Sequence, residues 1–254
     1  MKIDVYSNMY NEELILPYWL RHYETFANRI FIWDGGSTDK TLEMLKKHPK
    51  VTLLPRGKYG HCDEYYVACL YPQYEKYSRG VSDWVIIADA DEFVYHPHLR
   101  KVLEKAMKAG VQVIQCAGNA MISDNFPTTN GQIYDEIKMG LPNKFESKWT
   151  IHSSNIHIRH HTGRHGPPTA VMDSVYKRSA GRGTGIKLLH YRYIGKEYIE
   201  SRERKNIEQV NIAYPGNTWG FTLEVPRRCP DGSSANIFEW LTEHKGEEVN
   251  VIDT

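Results

Sequence analysis

Three carboxylates lie within four residues of one another at Asp89, Asp91 and Glu92, directly after the largely apolar segment 83–88. A continuous apolar segment of this length predicts a buried strand, and open α/β sheets bind ligands at the carboxyl edge of such strands. Carboxylate oxygens at this spacing suit Mg²⁺ or Mn²⁺ that is shared with phosphate oxygens. The alternative is a solvated turn whose acidic side chains cap the following helix.

Two further polar loops follow predicted strands. Residues 34–39 read Asp-Gly-Gly-Ser-Thr-Asp, and a glycine turn followed by hydroxyls and a helix N-terminus can bind a phosphate or another polar ligand. Residues 7–13 read Ser-Asn-Met-Tyr-Asn-Glu-Glu after the first strand. Each loop alone is also compatible with simple helix capping. Because the carboxyl ends of parallel strands meet at one edge of a sheet, we expect the three loops to converge on one site.

Histidine is the third residue type that could do chemistry in this chain. Five histidines fall within fourteen residues, namely His152, His157, His160, His161 and His165, and His190 follows. His161 and His165 have the spacing of a zinc pair on a helix, but the Thr-Gly between them disfavours a helix and the sequence has no H-E-x-x-H motif. The alternative is that these imidazoles pack within an aromatic-rich loop.

An alternation of strands and helices must position these residues. Apolar periodicity predicts strands over residues 3–7, 29–33, 51–54, 83–88 and 111–116, and helices over 12–27, from about 40, over 63–77 and over 97–109. Regular alternation of this kind is typical of a mainly parallel sheet with helices on both faces. After residue 118 the pattern predicts loops and a small antiparallel extension, then a strand at 188–191, a charged helix over 196–210 and a short helix in the tail.

The composition limits the classes of function. A chain of 254 residues is long enough for one large domain, and 41% hydrophobic with 25% charged residues describes an ordinary globular protein. Lys plus Arg is 32 and Asp plus Glu is 31, which argues against nucleic-acid binding through a general basic field. The four cysteines form no C-x-x-C pair, which favours reduced thiols as in a cytoplasmic protein, and neither a signal peptide nor a membrane-spanning segment is predicted.

The order of the three loop motifs resembles that in the GT-A glycosyltransferases, in particular the family 2-like branch that carries a D-x-D-E-F sequence. The resemblance rests on residues 11–13, on 34–39 and on 84–93, where residues 89–93 read Asp-Ala-Asp-Glu-Phe. The later segments 148–151, 162–165 and 188–192 are similar to the lysine, G-x-H and L-x-H-Y segments of that family.

The resemblance implies a GT-A, Rossmann-like sheet that is mainly parallel and flanked by helices, with a small loop-rich or antiparallel C-terminal extension. Residues 1–118 would form the nucleotide-sugar-binding α/β part, and residues 119–254 the acceptor-side extension and C-terminal helices of the same domain. The implied activity is inverting transfer of a sugar from a UDP-, GDP- or dTDP-type donor to a glycan or lipid-linked acceptor. No nucleic-acid partner is expected, and the C-terminal tail could contact a membrane surface or a partner.

The resemblance also implies roles for single residues. The residues implied for nucleotide binding are Asn11, Glu12, Asp34, Asp89 and Lys148. The residues implied for Mn²⁺ or Mg²⁺ are Asp89 and Asp91, with His165 or His190 completing the metal site or touching the diphosphate. A divalent cation bound there would stabilise the negative charge that develops on the diphosphate leaving group.

Inverting transfer also needs a general base within reach of the acceptor hydroxyl. Many relatives carry an acidic pair for this purpose, whereas residues 177–182 of this chain read Lys-Arg-Ser-Ala-Gly-Arg. Asp124 and Asp173 are the remaining candidates, and Asp124 is favoured because its loop is expected to leave the same sheet edge. Basic residues that could neutralise the diphosphate or form a lid are Arg159, Arg164, Lys177, Arg178 and Arg182.

Two other functions compete with glycosyl transfer. A nucleotide-sugar or carbohydrate-binding protein without turnover is favoured by the missing acidic pair. A metal-dependent phosphohydrolase could use the Asp and His clusters, although the D-x-D segment lies in no phosphatase-like motif.

Overall fold

The structure is a computed structural model that describes residues 1–55, 73–161, 164–170, 178–213, 227–229 and 234–253. Helices are labelled α1 (Leu16–Glu24), α2 (Thr41–Lys47), α3 (Leu99–Lys108), α4 (Ile133–Glu136), α5 (Lys196–Ala213) and α6 (Ile237–Glu243). Strands are labelled β1 (Ile3–Met9), β2 (Arg29–Asp34), β3 (Val51–Leu53), β4 (Trp84–Ile87), β5 (Glu92–Tyr95), β6 (Val113–Ser123), β7 (Met139–Pro142), β8 (Lys148–Ser153), β9 (Ile158–Arg159), β10 (Thr169–Ala170), β11 (Ser179–Ala180), β12 (Lys187–Ile194), β13 (Arg227–Arg228), β14 (Ser234–Ala235) and β15 (Val249–Asn250). Residues 73–77 are also helical, and 3₁₀ turns lie at Lys144–Glu146 and Arg182–Thr184.

One large sheet joins most of these strands, in the order β15-β7-β6-β8-β4-β1-β2-β3 along its main path. β1 to β4 pair in parallel, and β8 is inserted antiparallel between β4 and β6. β7 and β15 extend the antiparallel part. The fold is therefore α/β, with a parallel sheet flanked by helices and an antiparallel extension, as the family resemblance implies.

The parallel strands β1, β2 and β4 end at the same edge of the sheet. Met9 lies opposite Asp34 in the β1–β2 pair, and Tyr6 lies opposite Ile87 in the β1–β4 pair. The loops that follow these strands therefore begin side by side, as predicted from the sequence.

Helix α1 is shorter than the predicted helix over residues 12–27. Asn11 has a positive φ of 53° and residues 13–15 form a turn, so the regular helix begins only at Leu16. Pro17 lies in the first turn, where its missing N–H leaves no helical hydrogen bond unmade. The buried face of α1 includes Trp19 and Tyr23, and the helix contacts β5.

Strand β5 is an element that the sequence pattern does not predict. The chain turns at residues 88–91 after β4, and Glu92 then begins a strand that pairs antiparallel with β12, with His190 opposite Glu92. β6 is also longer than predicted and runs to Ser123, because its second half pairs with β7 and β12. A short apolar run cannot reveal such pairing, since the partners come from distant parts of the chain.

Gly118 allows the 3₁₀ turn Lys144–Glu146 to lie directly on β6. A Cβ atom at residue 118 would lie 2.2 Å from the carbonyl carbon of Glu146 and 2.4 Å from the backbone nitrogen of Ser147. The backbone N–H of Gly118 donates to the Ser147 hydroxyl at 3.0 Å. This close approach, which only glycine permits, fixes the backbone from which the Glu146 side chain extends.

The two faces of the parallel sheet bury separate clusters. Val5 on β1 belongs to the larger cluster, which α1 also joins, whereas the neighbouring Tyr6 belongs to a second cluster with Phe31 and Ile87. This alternation follows from the two-residue period of a strand and holds the carboxyl edge of the sheet between two packed layers.

Two findings bear on the expected environment of the chain. Cys116 is a buried free thiol, Cys229 is also buried, and Cys62 and Cys69 lie outside the described residues. None of the helices in the described ranges combines the length and the apolar character that crossing a bilayer requires.

Candidate active site

A polar cavity of about 250 Å³ lies where the loops after β1 and β4 meet. It is lined by Asn8, Tyr10, Glu12, Asp89, Ala90, Asp91, Lys148, His190, Arg192, Arg202 and Lys205. β1, the β4–β5 turn, β8, β12 and α5 all contribute to this lining. Lysine and arginine outnumber the carboxylates, so the cavity is suited to an anionic ligand.

Helix α1 fixes the turn that carries Asp89 and Asp91. The Trp19 indole Nε1–H donates to the Asp89 carbonyl at 3.0 Å, and the Tyr23 hydroxyl donates to the Glu92 carbonyl at 2.9 Å. Within the turn, the Asp89 N–H donates to Glu92 Oε2 at 3.1 Å. The turn is therefore held from the buried side, and both aspartates line the cavity although the strand itself ends at residue 87.

Asp89 and Glu92 share two cations. Lys148 Nζ lies 3.3 Å from Asp89 Oδ2 and also contacts Glu92 Oε1. Arg164 Nη2 lies 3.0 Å from Asp89 Oδ2 and 2.8 Å from Glu92 Oε2. Burial raises the pKa of Asp89, but Arg164 and Lys148 outweigh it and lower that pKa to about 2. Burial likewise lowers the pKa of Lys148, but Glu92 and Asp89 outweigh it and raise that pKa above its ordinary value. Asp89 and Lys148 are thus both charged at neutral pH.

Asp91 belongs to a second charged cluster. Arg202 Nη2 contacts Asp91 Oδ2, and His190 Nε2 lies 3.1 Å from the same oxygen. His190 Nδ1 lies 2.7 Å from Glu146 Oε2 on the other side of the ring. Burial lowers the pKa of His190, but Asp91 and Glu146 outweigh it and raise that pKa to about 9. The imidazole is therefore a cation at neutral pH.

The two carboxylates around His190 are ionised for the same reason. Burial raises the pKa of Asp91, but Arg202 and His190 outweigh it and hold that pKa well below its ordinary value. Burial also raises the pKa of Glu146, but His190 outweighs it and lowers that pKa to about 2. Each carboxylate of this cluster thus carries a negative charge that a neighbouring cation balances.

Helix α5 reaches across to the loop after β1 through Lys205. Lys205 Nζ lies 2.7 Å from Glu12 Oε2 and donates to the carbonyl of Asn11 at 2.8 Å. Burial raises the pKa of Glu12, and the neighbouring Lys205 lowers it only in part. The ion pair joins helix and loop at the wall of the cavity.

Asn8 contributes an acceptor that is open to a ligand. Its Oδ1 atom is buried and has no hydrogen-bond partner within the ranges that the structure describes. A buried amide oxygen without a donor costs free energy, which an N–H or O–H group of a ligand would recover. The sequence places Asn8 in the first polar loop but does not single it out.

Asn11 joins the loop after β1 to the loop after β2, and Asp34 shapes the loop after β2 from within. Asn11 Oδ1 accepts from the Thr38 N–H at 2.7 Å, and the Asp34 carboxylate accepts from the Gly36 N–H at 3.0 Å. Neither side chain lines the cavity. Of the residues that the resemblance implies for nucleotide binding, those that do line it are Glu12, Asp89 and Lys148.

His165 does not join the residues of the expected metal site. It is exposed and does not line the cavity, whereas its neighbour Arg164 is only 2% exposed and reaches Asp89 and Glu92. Arg164 has a φ of 57°, a left-handed conformation that is uncommon for residues other than glycine. His190, the other histidine that the resemblance implies, is buried beside Asp91.

Of the two predicted general bases, the structure describes Asp124. Asp124 is 75% exposed at its side chain, pairs with Lys245 Nζ at 2.6 Å and does not line the cavity. β6 runs seven residues further than predicted, so Asp124 follows the end of a longer strand. Asp173 lies outside the described residues.

Helix α5 contributes to the site in a way that is not predicted from the sequence. Residues 196–210 are predicted only as a charged helix, yet Arg202 and Lys205 both line the cavity. Their three-residue spacing places them on one helix face, and this spacing was the signal that could have revealed them. Glu146 lies in a polar stretch without any such pattern.

The donor set does not fit a divalent cation. Asp89 Oδ2 has two cationic neighbours, Lys148 and Arg164, and Asp91 Oδ2 has Arg202 and His190. Within the described ranges, no group of three or more His, Cys, Asp or Glu side chains is arranged to hold a metal ion. A cation among these oxygens would stand beside four positive groups, so the site expected from the resemblance is not assembled.

A larger cavity of about 710 Å³ lies on the other side of the chain at Ser147 and Lys148. Its lining is Ala117, Gly118, Asn119, Leu141, Pro142, Asn143, Lys144, Phe145, Ser147, Trp240, His244 and Glu247. Ser147 thus lines this cavity and the next residue, Lys148, lines the smaller one. Trp240 is 4% exposed, and its Nε1 has no hydrogen-bond partner among the described residues. Phe145 is 44% exposed.

Comparison with known proteins gives one family match. The model described as "Glycosyl transferase family 2" matches residues 8–165, which is more than half of the chain. No curated protein matches the sequence. Two solved structures of S. aureus TarS are similar at 14% identity and cover 83% of this chain. Their TM-scores are 0.40 and 0.38, and the matches cover 66% and 40% of those chains.

Proposed function

The chain belongs to glycosyl transferase family 2, and on this basis we propose that it transfers a sugar from a nucleoside diphosphate sugar to a hydroxyl group of a saccharide or lipid-linked acceptor. The observation that carries the proposal is the lining of the smaller cavity, where Lys148, Arg192, Arg202 and Lys205 stand among carboxylates at the carboxyl edge of the parallel strands. A diphosphate binds to such a set of charged N–H donors, and carboxylates accept hydroxyls of a ribose or a hexose.

The proposed reaction is a direct displacement at the anomeric carbon. The acceptor oxygen forms a bond to that carbon while the bond to the β-phosphate oxygen breaks, and the electron pair of the broken bond stays on the diphosphate. The acceptor proton passes to a general base. Fixed cations beside the leaving group stabilise the charge that develops there, because they are oriented before the reaction begins.

Nucleotide recognition is assigned to the wall formed by the first loop. Asn8 Oδ1 is a buried acceptor without a partner in the described ranges, and it is suited to an N–H of a base or a ribose hydroxyl. Asp89 is the carboxylate proposed to accept ribose hydroxyls. Asn11 and Asp34 act indirectly in this proposal, since their hydrogen bonds shape the two loops. The donor class is a UDP, GDP or dTDP sugar.

The general base is proposed from the sequence to be Asp173. Each carboxylate that lines the smaller cavity within the described ranges, Glu12, Asp89 and Asp91, already has a cationic partner. A base needs an oxygen that is free to take a proton from the acceptor. Asp173, which lies outside the described residues, is the other candidate from the sequence.

The acceptor is assigned to the larger cavity. Its exposed Phe145 ring can stack against the apolar face of a sugar, and the Trp240 indole N–H has no partner among the described residues and can donate to a hydroxyl. Ser147 lines this cavity and the next residue, Lys148, lines the smaller one, which supports an acceptor site next to the donor site.

A donor-binding protein without turnover is the second candidate. The observation that favours it is the pairing of every cavity carboxylate in the described ranges with a cation. Such a protein would bind the same nucleotides but release no diphosphate. The phosphohydrolase expected to use a metal cluster has no comparable support, because the donor set does not fit a divalent cation.

Turnover of candidate donors tests the proposal. UDP-, GDP- and dTDP-sugars are incubated with the protein, with and without saccharide acceptors, and the nucleoside diphosphate released is measured by chromatography. One donor class is expected to give product, and faster with an acceptor. Binding without product would support the binding protein, and release of inorganic phosphate would support a phosphohydrolase.

Matched lysine variants link that turnover to the cavity. Lys205→Met removes a cation from the lining, and we expect kcat/KM to fall by about 10- to 100-fold, as for the loss of a charged hydrogen bond. Lys196→Met changes a lysine that is 74% exposed on the same helix and is expected to leave kcat/KM unchanged. Equal effects of the two changes would contradict the assignment of the cavity.

A further inference from the structure

The two oxygens best placed to hold a divalent cation are already neutralised by side chains of this chain. Asp91 Oδ2 is contacted by Arg202, and Asp89 Oδ2 lies within 3.3 Å of Lys148 and 3.0 Å of Arg164. Asp91 is only 6% exposed at its side chain, so bulk water screens its pair with Arg202 weakly. Asp89 is 36% exposed, although its partner Lys148 is only 8% exposed. Lysine and arginine keep their positive charge at neutral pH. Their side chains can therefore supply the positive charge that a bound divalent cation would otherwise supply.

Arg202 also has the chemistry to bind a diphosphate. A guanidinium carries five N–H donors in a planar fork, and its contact with Asp91 uses only part of them. Arg202 is 16% exposed at its side chain and lines the cavity. Lys148, Arg192 and Lys205 line the same cavity, so several donors converge on the space that a phosphate group would fill.

We propose that Arg202 and Lys148 together take the place of the divalent cation, so that this chain binds its nucleoside diphosphate donor and stabilises the leaving group without a metal ion. The inference rests on the proposed function and departs from what the family resemblance implies about Mn²⁺ or Mg²⁺. When the anomeric C–O bond breaks, its electron pair stays on the β-phosphate oxygen, and the charge there is balanced by N–H donors of Arg202 and Lys148.

Removing metal ions from the wild-type protein is the decisive test. Binding of UDP, GDP and dTDP, and turnover of the corresponding sugars, are measured by calorimetry and chromatography in excess EDTA and again in excess Mn²⁺ or Mg²⁺. Affinity and turnover in EDTA are expected to lie within about twofold of the values with metal, a difference of less than 0.5 kcal/mol by the affinity relation. Loss of binding in EDTA that Mn²⁺ restores would overturn the inference and leave the proposed function standing. Absence of binding under both conditions would overturn both.

A matched pair on helix α5 tests the residue assignment. Arg202→Gln is expected to weaken nucleoside diphosphate binding by about tenfold or more, because a charge-assisted hydrogen bond is lost. Arg204→Gln, which changes an arginine that is 60% exposed two residues away, is expected to bind like the wild type. Wild-type affinity in Arg202→Gln would overturn the inference. If Arg202→Gln fails to fold, the wild-type measurements in EDTA still decide whether donor binding and turnover need a metal ion.

Discussion

Arg202 on helix α5 contacts Asp91 in the turn after β4, which joins residues more than one hundred positions apart at the carboxyl edge of the parallel sheet. His190 lies 3.1 Å from the same Asp91 oxygen, and Glu146 lies on the far side of that imidazole. Asp91 is thus the point at which the D-x-D-E-F segment, β12 and α5 meet. The predictions below follow from these contacts and from the packing that supports them.

Neutralising Asp91 is expected to reduce both stability and turnover. In Asp91→Asn the positive charges of Arg202 and His190 lose the carboxylate that they share. Removing one partner of a buried ion pair lowers the unfolding free energy by about 3 kcal/mol. We expect kcat to fall by about 100-fold or more, since the cations move away from the leaving group. Urea unfolding and steady-state kinetics measure the two effects.

Asp124→Asn provides the comparison for that experiment. The Asp124 carboxylate is 75% exposed and pairs with a lysine that is itself 67% exposed. Surface changes of this kind alter stability by about 0.5 kcal/mol at most, and we expect normal kinetics. A loss of kcat in Asp124→Asn with unchanged stability would restore the role that the sequence suggests for this residue.

Gly118→Ala is expected to disturb the site from a distance. The new Cβ would lie 2.2 Å from the backbone of Glu146, so the turn Lys144–Glu146 must move away from β6. We expect a loss of about 2 kcal/mol in unfolding free energy and lower turnover, because Glu146 leaves His190. In Gly181→Ala the new Cβ meets nothing within 4 Å, and thermal unfolding of this control should match the wild type. Equal unfolding of both variants would contradict the packing argument.

The stability of the protein is expected to fall in acid because of His22. His22 is buried, its Nε2 lies 3.0 Å from the Val94 carbonyl, and burial lowers its pKa to about 4. The unfolded chain has the ordinary value near 6.5 and takes up the proton first as the pH falls, so protonation favours unfolding. The contribution of neutral His22 to the unfolding free energy is fully present above about pH 6.5 and is lost as the pH falls to about 4. It amounts to roughly 3 kcal/mol at most.

A histidine pair checks this assignment. Urea titrations between pH 4 and 7.5 give the unfolding free energy as a function of pH. This free energy should change less steeply with pH in His22→Gln than in the wild type, and the difference in slope should correspond to at most one bound proton. His98→Gln, which changes an exposed histidine, should keep the wild-type slope. An unchanged slope in His22→Gln would assign the acid sensitivity to other buried groups such as His152, whose pKa burial also lowers to about 4.

Asp173→Asn tests the proposed general base. A base acts on the proton of the acceptor and not on the donor, so kcat should fall by about 100-fold or more while the affinity for the nucleoside diphosphate stays the same. Kinetics and calorimetry on the same preparation separate these effects. Normal kcat in this variant would exclude Asp173 and require a base that the sequence does not reveal.

The parallel part of the fold follows from local patterns in the sequence. Apolar runs that end at Asp34 and at Ala88 predict β2 and β4, and the polar residues after them predict where the loops converge. β5 and the second half of β6 are not predictable in this way, because they form by pairing with β12 and β7.

The candidate site could be predicted only where its residues follow strands of the parallel sheet. Asp89 and Asp91 are visible in the sequence because two aspartates end an apolar run. Arg202 and Lys205 come from a helix whose docking depends on tertiary contacts, and Arg164 turns inward through one positive φ angle. A local pattern can show that Arg202 and Lys205 share a helix face, but tertiary packing decides that Arg202 meets Asp91.

The most direct test of the account is the equilibrium binding of UDP, GDP and dTDP to the wild-type protein and to Lys148→Met, with Lys144→Met as the control. Lys148 lines the smaller cavity and pairs with Asp89, whereas Lys144 is exposed and lines the larger one. At least one of these nucleotides is expected to bind the wild type and Lys144→Met equally, and Lys148→Met about tenfold more weakly or worse. Wild-type affinity in Lys148→Met, or no binding of any of the three to the wild type, would contradict it.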